Sequence, residues 1–265
     1  MNTPITASAA QPPGAATQQD PDSALPLYQG APQSQAAIAA ATAHLPVQIE
    51  GVSDLNNDPE NTRALATGVR LSAQQLADIT SKYLNGSAQN YLPSSLDPVP
   101  TQAAYTDVTL KGNEVNTVTI TGLRVVKQCG PPLSGTLFFS PGQAEDNTIR
   151  VGFDLDSSVS YAQVVSDGSI GGGDFFAQHV VTLAPGEVQT FELYLKTDQH
   201  DCRFTFQMSV ATPTGTILEK IDDNGKPYEL TGMLNTSAYQ DLYLGGSANA
   251  DGTSGWVQSD PKTYH

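Results

Sequence analysis

The run Cys202, Phe204, Phe206, Met208 and Val210 puts an apolar side chain at every second position, with Arg203, Thr205, Gln207 and Ser209 between them. Successive side chains of an extended strand point to opposite faces, so this run predicts a strand with one buried and one exposed face. The same period recurs in Ile149, Val151, Phe153 and Leu155, and again in Phe191, Leu193 and Leu195. Val118 and Ile120 alternate, and Leu123 and Val125 continue one residue out of step. An extra residue at Thr121–Gly122, forming a β-bulge, accounts for that slip. Pro141-Gly142 and Pro185-Gly186 mark reversals. Asp222-Asp223-Asn224-Gly225 lies between Ile217–Ile221 and Tyr228–Leu230, where Asn-Gly predicts a two-residue hairpin turn. Roughly eight to ten short strands at this spacing, without helices between them, predict a mainly β chain folded as an antiparallel, Ig-like β-sandwich.

One helix is specified ahead of the strands. Ser72-Ala73-Gln74-Gln75 matches a capping box, in which Ser72 accepts from an amide one turn on and Gln75 reaches back. Leu76, Ile79 and Tyr83 follow at helical spacing, Leu71 and Leu76 are placed to staple the cap, and Asn85-Gly86 supplies a stop. Its apolar face needs a surface, and the sheet that follows is the expected one. Residues 1–35 are rich in Ala, Pro, Gln, Ser and Thr and read as a disordered arm. An Ala-rich run from Gln33 to Leu45 is a second short helix candidate. The expected organisation is an arm at 1–35, short helices and loops at 36–103, and the sandwich with a C-terminal tail at 104–265. Trp256, the sole indole, is placed to pin that tail back.

The net charge of −15 argues against nucleic acid, whose binding depends on Lys and Arg displacing counterions from phosphate. It argues equally against an anionic membrane surface. No stretch reaches the roughly 20 apolar residues that span a bilayer, so no direct membrane insertion is expected. Met1–Gly14 lacks the basic and apolar regions of a signal peptide, and an export signal or anchor is expected outside this sequence.

Cys129 ends one expected strand and Cys202 opens another. A bridge between them would close a loop of more than seventy residues. In the chain-entropy model that removes about 4 kcal/mol of unfolded-state freedom. Such a bridge fits an oxidising compartment. The alternatives are two free thiols, one acting as a small core residue, or a metal held by Cys129, His200 and Cys202 with no fourth ligand in view.

Candidate chemistry is sparse. A catalytic Cys needs a His and electropositive surroundings. His200 reads as the cap of a turn, and His179 as a solvent-facing residue in mid-strand. No Gly-x-Ser-x-Gly elbow occurs, and Gly171-Gly172-Gly173 lacks the Lys of a phosphate loop and reads as a wide loop or bulge between strands. Asp154 with Asp156, and Asp222 with Asp223, are paired carboxylates of the kind a glycosidase sets across a cleft. A polar outer strand face is the simpler reading of the first pair. Asp54-Leu55-Asn56-Asn57-Asp58 begins like an EF-hand, but Pro59 and Leu65 stand where Gly and a bidentate Glu belong. That leaves only a looser calcium site open; no cofactor is expected.

Several segments carry a resemblance. They are Val108–Asn113, Val118–Thr121, Val125–Cys129, Gly135–Pro141, Gly172–Ala177 and Ile221–Pro227. Together they resemble the C-terminal extracytoplasmic region of uncharacterised actinobacterial proteins of streptomycete type, over about residues 104–260. Those proteins often carry a membrane anchor ahead of this region, which implies a place outside the cytoplasm and matches both cysteines. The resemblance brings no activity, cofactor or catalytic residue.

These readings favour a non-catalytic extracytoplasmic binding or structural module, whose partner is a protein or glycan at the cell surface. The loops Ser166–Asp174 and Gln143–Asn147, with Ser166, Asp167, Asp174, Gln143 and Asn147, are the expected contact surface on length and composition. The alternative is a secreted hydrolase acting on cell-wall or extracellular polymer through paired carboxylates. A third reading makes residues 36–90 a helical partner-binding element.

Overall fold

The structure, a computed structural model, describes residues 45–56, 61–85, 90–140, 150–166, 168–245 and 255–264, all within one compact unit. The arm expected at 1–35 and most of the Ala-rich run lie outside the described residues. The described residues are mainly β, arranged in three sheets.

Two of the sheets share one core. The first runs β1 (Val47–Val52), β4 (Ala103–Gly112), β11 (Val188–Lys196), β7 (Arg150–Asp154), β8 (Gln163–Ser166) and β9 (Ser169–Asp174). The second runs β10 (Val181–Leu183), β5 (Val118–Gly130), β12 (Asp201–Thr212) and β13 (Gly215–Ile221), with β14 (Tyr228–Thr231) also on β12. The alternating side chains of β12 drive this arrangement. Cys202, Phe204, Phe206, Met208 and Val210 are all buried, in one cluster with Val108, Leu110, Phe153, Leu193 and Leu195 of the facing sheet. The bulge expected in β5 is present: Ser209 pairs with Gly122 and Val210 with Ile120, leaving Thr121 over.

The pairing is not wholly antiparallel. β7 runs parallel to β11, because the chain leaves the first sheet after β9, adds β10 to the second, and re-enters between β4 and β7. The Asn-Gly turn forms, with Asn224 at φ 49° and Gly225 at φ 91°, but it closes only the bridge between Asp223 and Lys226 and does not pair β13 with β14. β13 and β14 both pair with β12, as consecutive pieces of one edge, and residues 222–227 project from between them. The turn rule is local and carries no information about the partner strand.

The third sheet is absent from the sequence reading. It runs β16 (Val257–Ser259), β15 (Asp241–Leu244), β6 (Thr136–Phe139), β2 (Arg63–Leu65) and β3 (Val99–Pro100), with β15 parallel to β6. Residues 36–103, expected as helices and loops, therefore supply strands to two sheets, since β1 pairs with β4 and β2 with β6.

Both faces of the third sheet are covered. Ala64, Leu137 and Leu242 face Tyr239 on one side, and Leu65, Phe138 and Tyr243 face Ile79, Tyr91 and Trp256 on the other. The helix α1 (Ala73–Leu84) lies on that second side, and its capping box forms as expected: Ser72 Oγ accepts from Gln75 N, and Ser72 N donates to Gln75 Oε1. Gly86 lies outside the described residues. Trp256 does pin the tail. It stacks on Tyr91 at 4.8 Å, meets Tyr83 edge-on at 5.6 Å, and donates its backbone N–H to Thr80 on the helix.

Candidate functional site

An open groove of about 780 Å³ draws on all three sheets. Asp54 and Leu55, just after β1, line it from the first sheet. The projecting turn contributes Asp223, Lys226 and Pro227, and β14 adds Tyr228 and Glu229. The third sheet supplies Arg63, Val99 and Pro100, and the loop before it Tyr91, Leu92, Pro93, Ser94, Ser95, Asp97 and Pro98. Lys82 reaches it from α1. A volume of this size is typical of ligand sites.

The local chain explains the shape of the walls. Pro93 starts a 3₁₀ turn, Ser94–Leu96, which ends on Asp97 in the left-handed region at φ 50°. Four prolines, at 93, 98, 100 and 227, fix φ and lower the entropy lost on binding. On the opposite wall Asp222 Oδ1 accepts from Gly225 N at 2.8 Å and Asp222 pairs with Lys220 at 2.7 Å, which holds the turn out from the sheet. Asp222 and Asp223 are thus a turn device and a groove wall, and they do not confront each other across a cleft.

Arg63 lies deepest among the cations, only 4% exposed, with Nη1 donating to the Thr62 carbonyl. Burial lowers its pKa, and the nearby Tyr91 and Tyr83 oppose that shift. Tyr91 is fully buried and donates to the Asn61 carbonyl at 3.1 Å, and burial raises its pKa. Tyr228 is raised to about 12 by burial, and its hydroxyl makes no well-formed hydrogen bond. The Thr106 hydroxyl beside it is committed to the Ser53 carbonyl at 2.7 Å. The rim alternates sign, with Asp54, Asp97, Asp223 and Glu229 against Lys82 and Lys226. Such a lining suits a neutral or zwitterionic polar ligand better than a polyanion. The described lining residues include Ser94 and Ser95 beside these charges, and no His or Cys.

The two cysteines are joined. Cys129 and Cys202 sit directly opposite each other on β5 and β12 and form a disulfide, which removes both the free-thiol and the Cys-ligated metal readings. His200 caps its turn through Asp156, with Nδ1 and Oδ1 2.7 Å apart. His179 is not in mid-strand. Asp174 accepts from Phe176 N and starts a single helical turn, Phe175–Gln178, and His179 closes it stacked on Phe175 at 4.3 Å.

Of the carboxylate pair, Asp154 lies on the strand, on the face opposite buried Phe153, and Asp156 lies beyond its end. β7 ends at Asp154, whose Oδ1 accepts from Asp156 N. Asp156 Oδ1 takes bonds from Thr197 and His200, and Oδ2 takes the backbone N–H groups of Asp198 and Gln199. Those bonds outweigh its partial burial and lower its pKa. Asp156 therefore pins the β11–β12 connection.

Of the expected contact loops, Ser166 pairs with Ser169 in the β8–β9 hairpin and Asp174 is the helix cap, so this segment is a strand pair with only a short turn. Neither residue lines the groove. Asp167, Gln143 and Asn147 lie outside the described residues. Of the calcium candidate, Asn56 bridges to Tyr105 through backbone and side chain, Asp54 lines the groove, and Asn57 and Asp58 are outside the described residues. Among the described residues no three His, Cys, Asp or Glu side chains converge as a metal site, and no helix is long and apolar enough to cross a membrane. The groove residues escaped the sequence reading because they come from five separated segments. The one local signal was the proline spacing at 93, 98 and 100. No protein-family model matches the chain, and the comparison with curated proteins gives no match.

Proposed function

We propose that this protein is a non-catalytic extracytoplasmic binding module, with the three-sheet groove as its recognition surface. The observation that carries the reading is the groove itself: a proline-walled cleft with charges of both signs. The disulfide supports an oxidising compartment, as does the resemblance to extracytoplasmic actinobacterial regions. The two facing sheets, read as an Ig-like sandwich, then serve as the scaffold that holds the turn at 222–227 and β14 in place. The partner is a protein or glycan of the cell surface, taken as an uncharged or zwitterionic segment. The hydrolase reading loses its main carboxylate pair, because Asp156 is occupied by structural hydrogen bonds on both oxygens.

The test is a panel of soluble cell-wall glycan fragments and extended peptides, screened against the wild-type protein and a Lys226→Glu variant. Binding that weakens about tenfold in the variant, about 1.4 kcal/mol, is the expected result. Turnover of any polymer in the panel would contradict the reading.

A further inference from the structure

At the open side of the two-sheet body, one buried carboxyl joins the sheets. Val47, the first residue of β1, donates its backbone N–H to Glu219 Oε1 on β13 at 3.2 Å. The two residues are 0% and 2% exposed, and Oε2 has no partner among the described residues. Glu219 points inward because it occupies the same side of β13 as Ile221, opposite Met208 on β12. Among the described residues β1 and β13 are edge strands of their sheets, so this contact ties one edge to the other.

We propose that Glu219 is a proton-controlled latch on β1: protonated, it holds the strand in place, and ionised, it lets the strand leave. A buried carboxylate is stable only when hydrogen bonds or charges replace its lost water, and one N–H is insufficient. No charged side chain of the described residues meets that need. Glu50 on β1 pairs with Lys111 of β4, and Lys220 on β13 pairs with Asp222, alternating to the other face of its strand. The inner faces of β4, β5 and β12 contribute Leu110, Ile120 and Met208 to the core, none of which titrates.

Burial accordingly raises the Glu219 carboxyl from 4.5 to about 7, opposed only by the Val47 N–H. A folded-state pKa above the ordinary value gives stability that is full below pH 4.5 and lost as pH rises through about 7. The latch therefore loosens on passing from acidic to neutral surroundings, a step independent of the groove. Departure of β1 uncovers its partners on β4, Val108 to Gly112, as an open strand edge.

Hydrogen exchange at pH of about 5.5 and about 8, corrected for the intrinsic rates, tests this directly. In the wild-type protein, opening at Val47–Val52 rises roughly 25-fold between the two conditions, from the two pKa values above. Glu219→Gln keeps an acceptor for Val47 and cannot ionise, so its opening changes less than about twofold. A pH-independent wild-type strand, or an equal rise in the variant, overturns the latch. Carbon-13 titration of the Glu219 carboxyl in the wild-type protein decides the matter without any variant. A midpoint near 7 is expected, and an ordinary carboxylate midpoint contradicts the proposal.

Discussion

The two-sheet body buries many aliphatic side chains, with Phe153, Phe204, Phe206 and Tyr228 in contact among them, between extended strands, and the disulfide joins the neighbouring strands β5 and β12. On one face of the third sheet rings make up most of the cluster: Phe138 and Tyr243 of the sheet and Tyr91 and Trp256 above it stack or meet edge-on at 4.8–6.3 Å. The first region is built on strands of up to thirteen residues, and the third sheet on strands of two to four. Short strands offer few ladder hydrogen bonds, so the third sheet relies on side chains brought from far apart: the helix at 73–84, the loop at 90–92 and the tail at 255–264. Aromatic rings suit that task, since each buries a large area and such pairs add about 0.5–1.5 kcal/mol beyond burial. The comparison teaches that one long alternating pattern can build a body by itself, whereas a small sheet needs large rings to join its pieces.

The largest effect is expected on the body. Replacing Cys129 and Cys202 with Ala removes the constraint of a 73-residue separation, and about 4 kcal/mol should be lost in urea denaturation. Trp256 is the only indole and sits in the third sheet's cluster, so its fluorescence reports that region while far-UV dichroism reports all the strands. Coincident transitions would join the two regions into one cooperative unit, and separated ones would sharpen the distinction between them.

Tyr91→Ala should cost about 3 kcal/mol, by opening a cavity beneath Trp256 and Phe138. The indole emission should shift to the red before the dichroism changes. An unchanged emission maximum would break the view that rings hold this sheet.

Ser72→Ala should cost about 1 kcal/mol, the worth of one helix cap, again seen first in Trp256 fluorescence. A loss below the error of the measurement would show α1 to be held by Ile79 and its neighbours rather than by its cap.

What the sequence disclosed follows the same division. The strands β5 and β12, the bulge at Thr121, the capping box and the cysteine pair were legible because each is a local pattern or a covalent constraint. The third sheet was not. Arg63, Ala64 and Leu65 are all buried, so β2 shows no alternation, and three residues are too few to display a period. Its partners lie far off in sequence, Ala64 against Leu137 and Leu137 against Leu242. Asn224-Gly225 announced its turn and misplaced its strands, because β12 rather than β13 is the neighbour of β14. His179 has the sequence setting of a strand residue, but Asp174 starts a helical turn that ends on it. The groove joins side chains from all three sheets, so no contiguous stretch could reveal it.

The proposed recognition surface is the groove in which side chains of the two regions meet. Amide chemical shifts of the nitrogen-15-labelled protein, followed while soluble peptidoglycan fragments or short extended peptides are added, test it most directly. The expected result is that Ser94–Asp97 on the third-sheet side and Asp223–Glu229 on the body side shift together and saturate with one Kd. Shifts confined to one region, or centred on the β8–β9 hairpin, would contradict it.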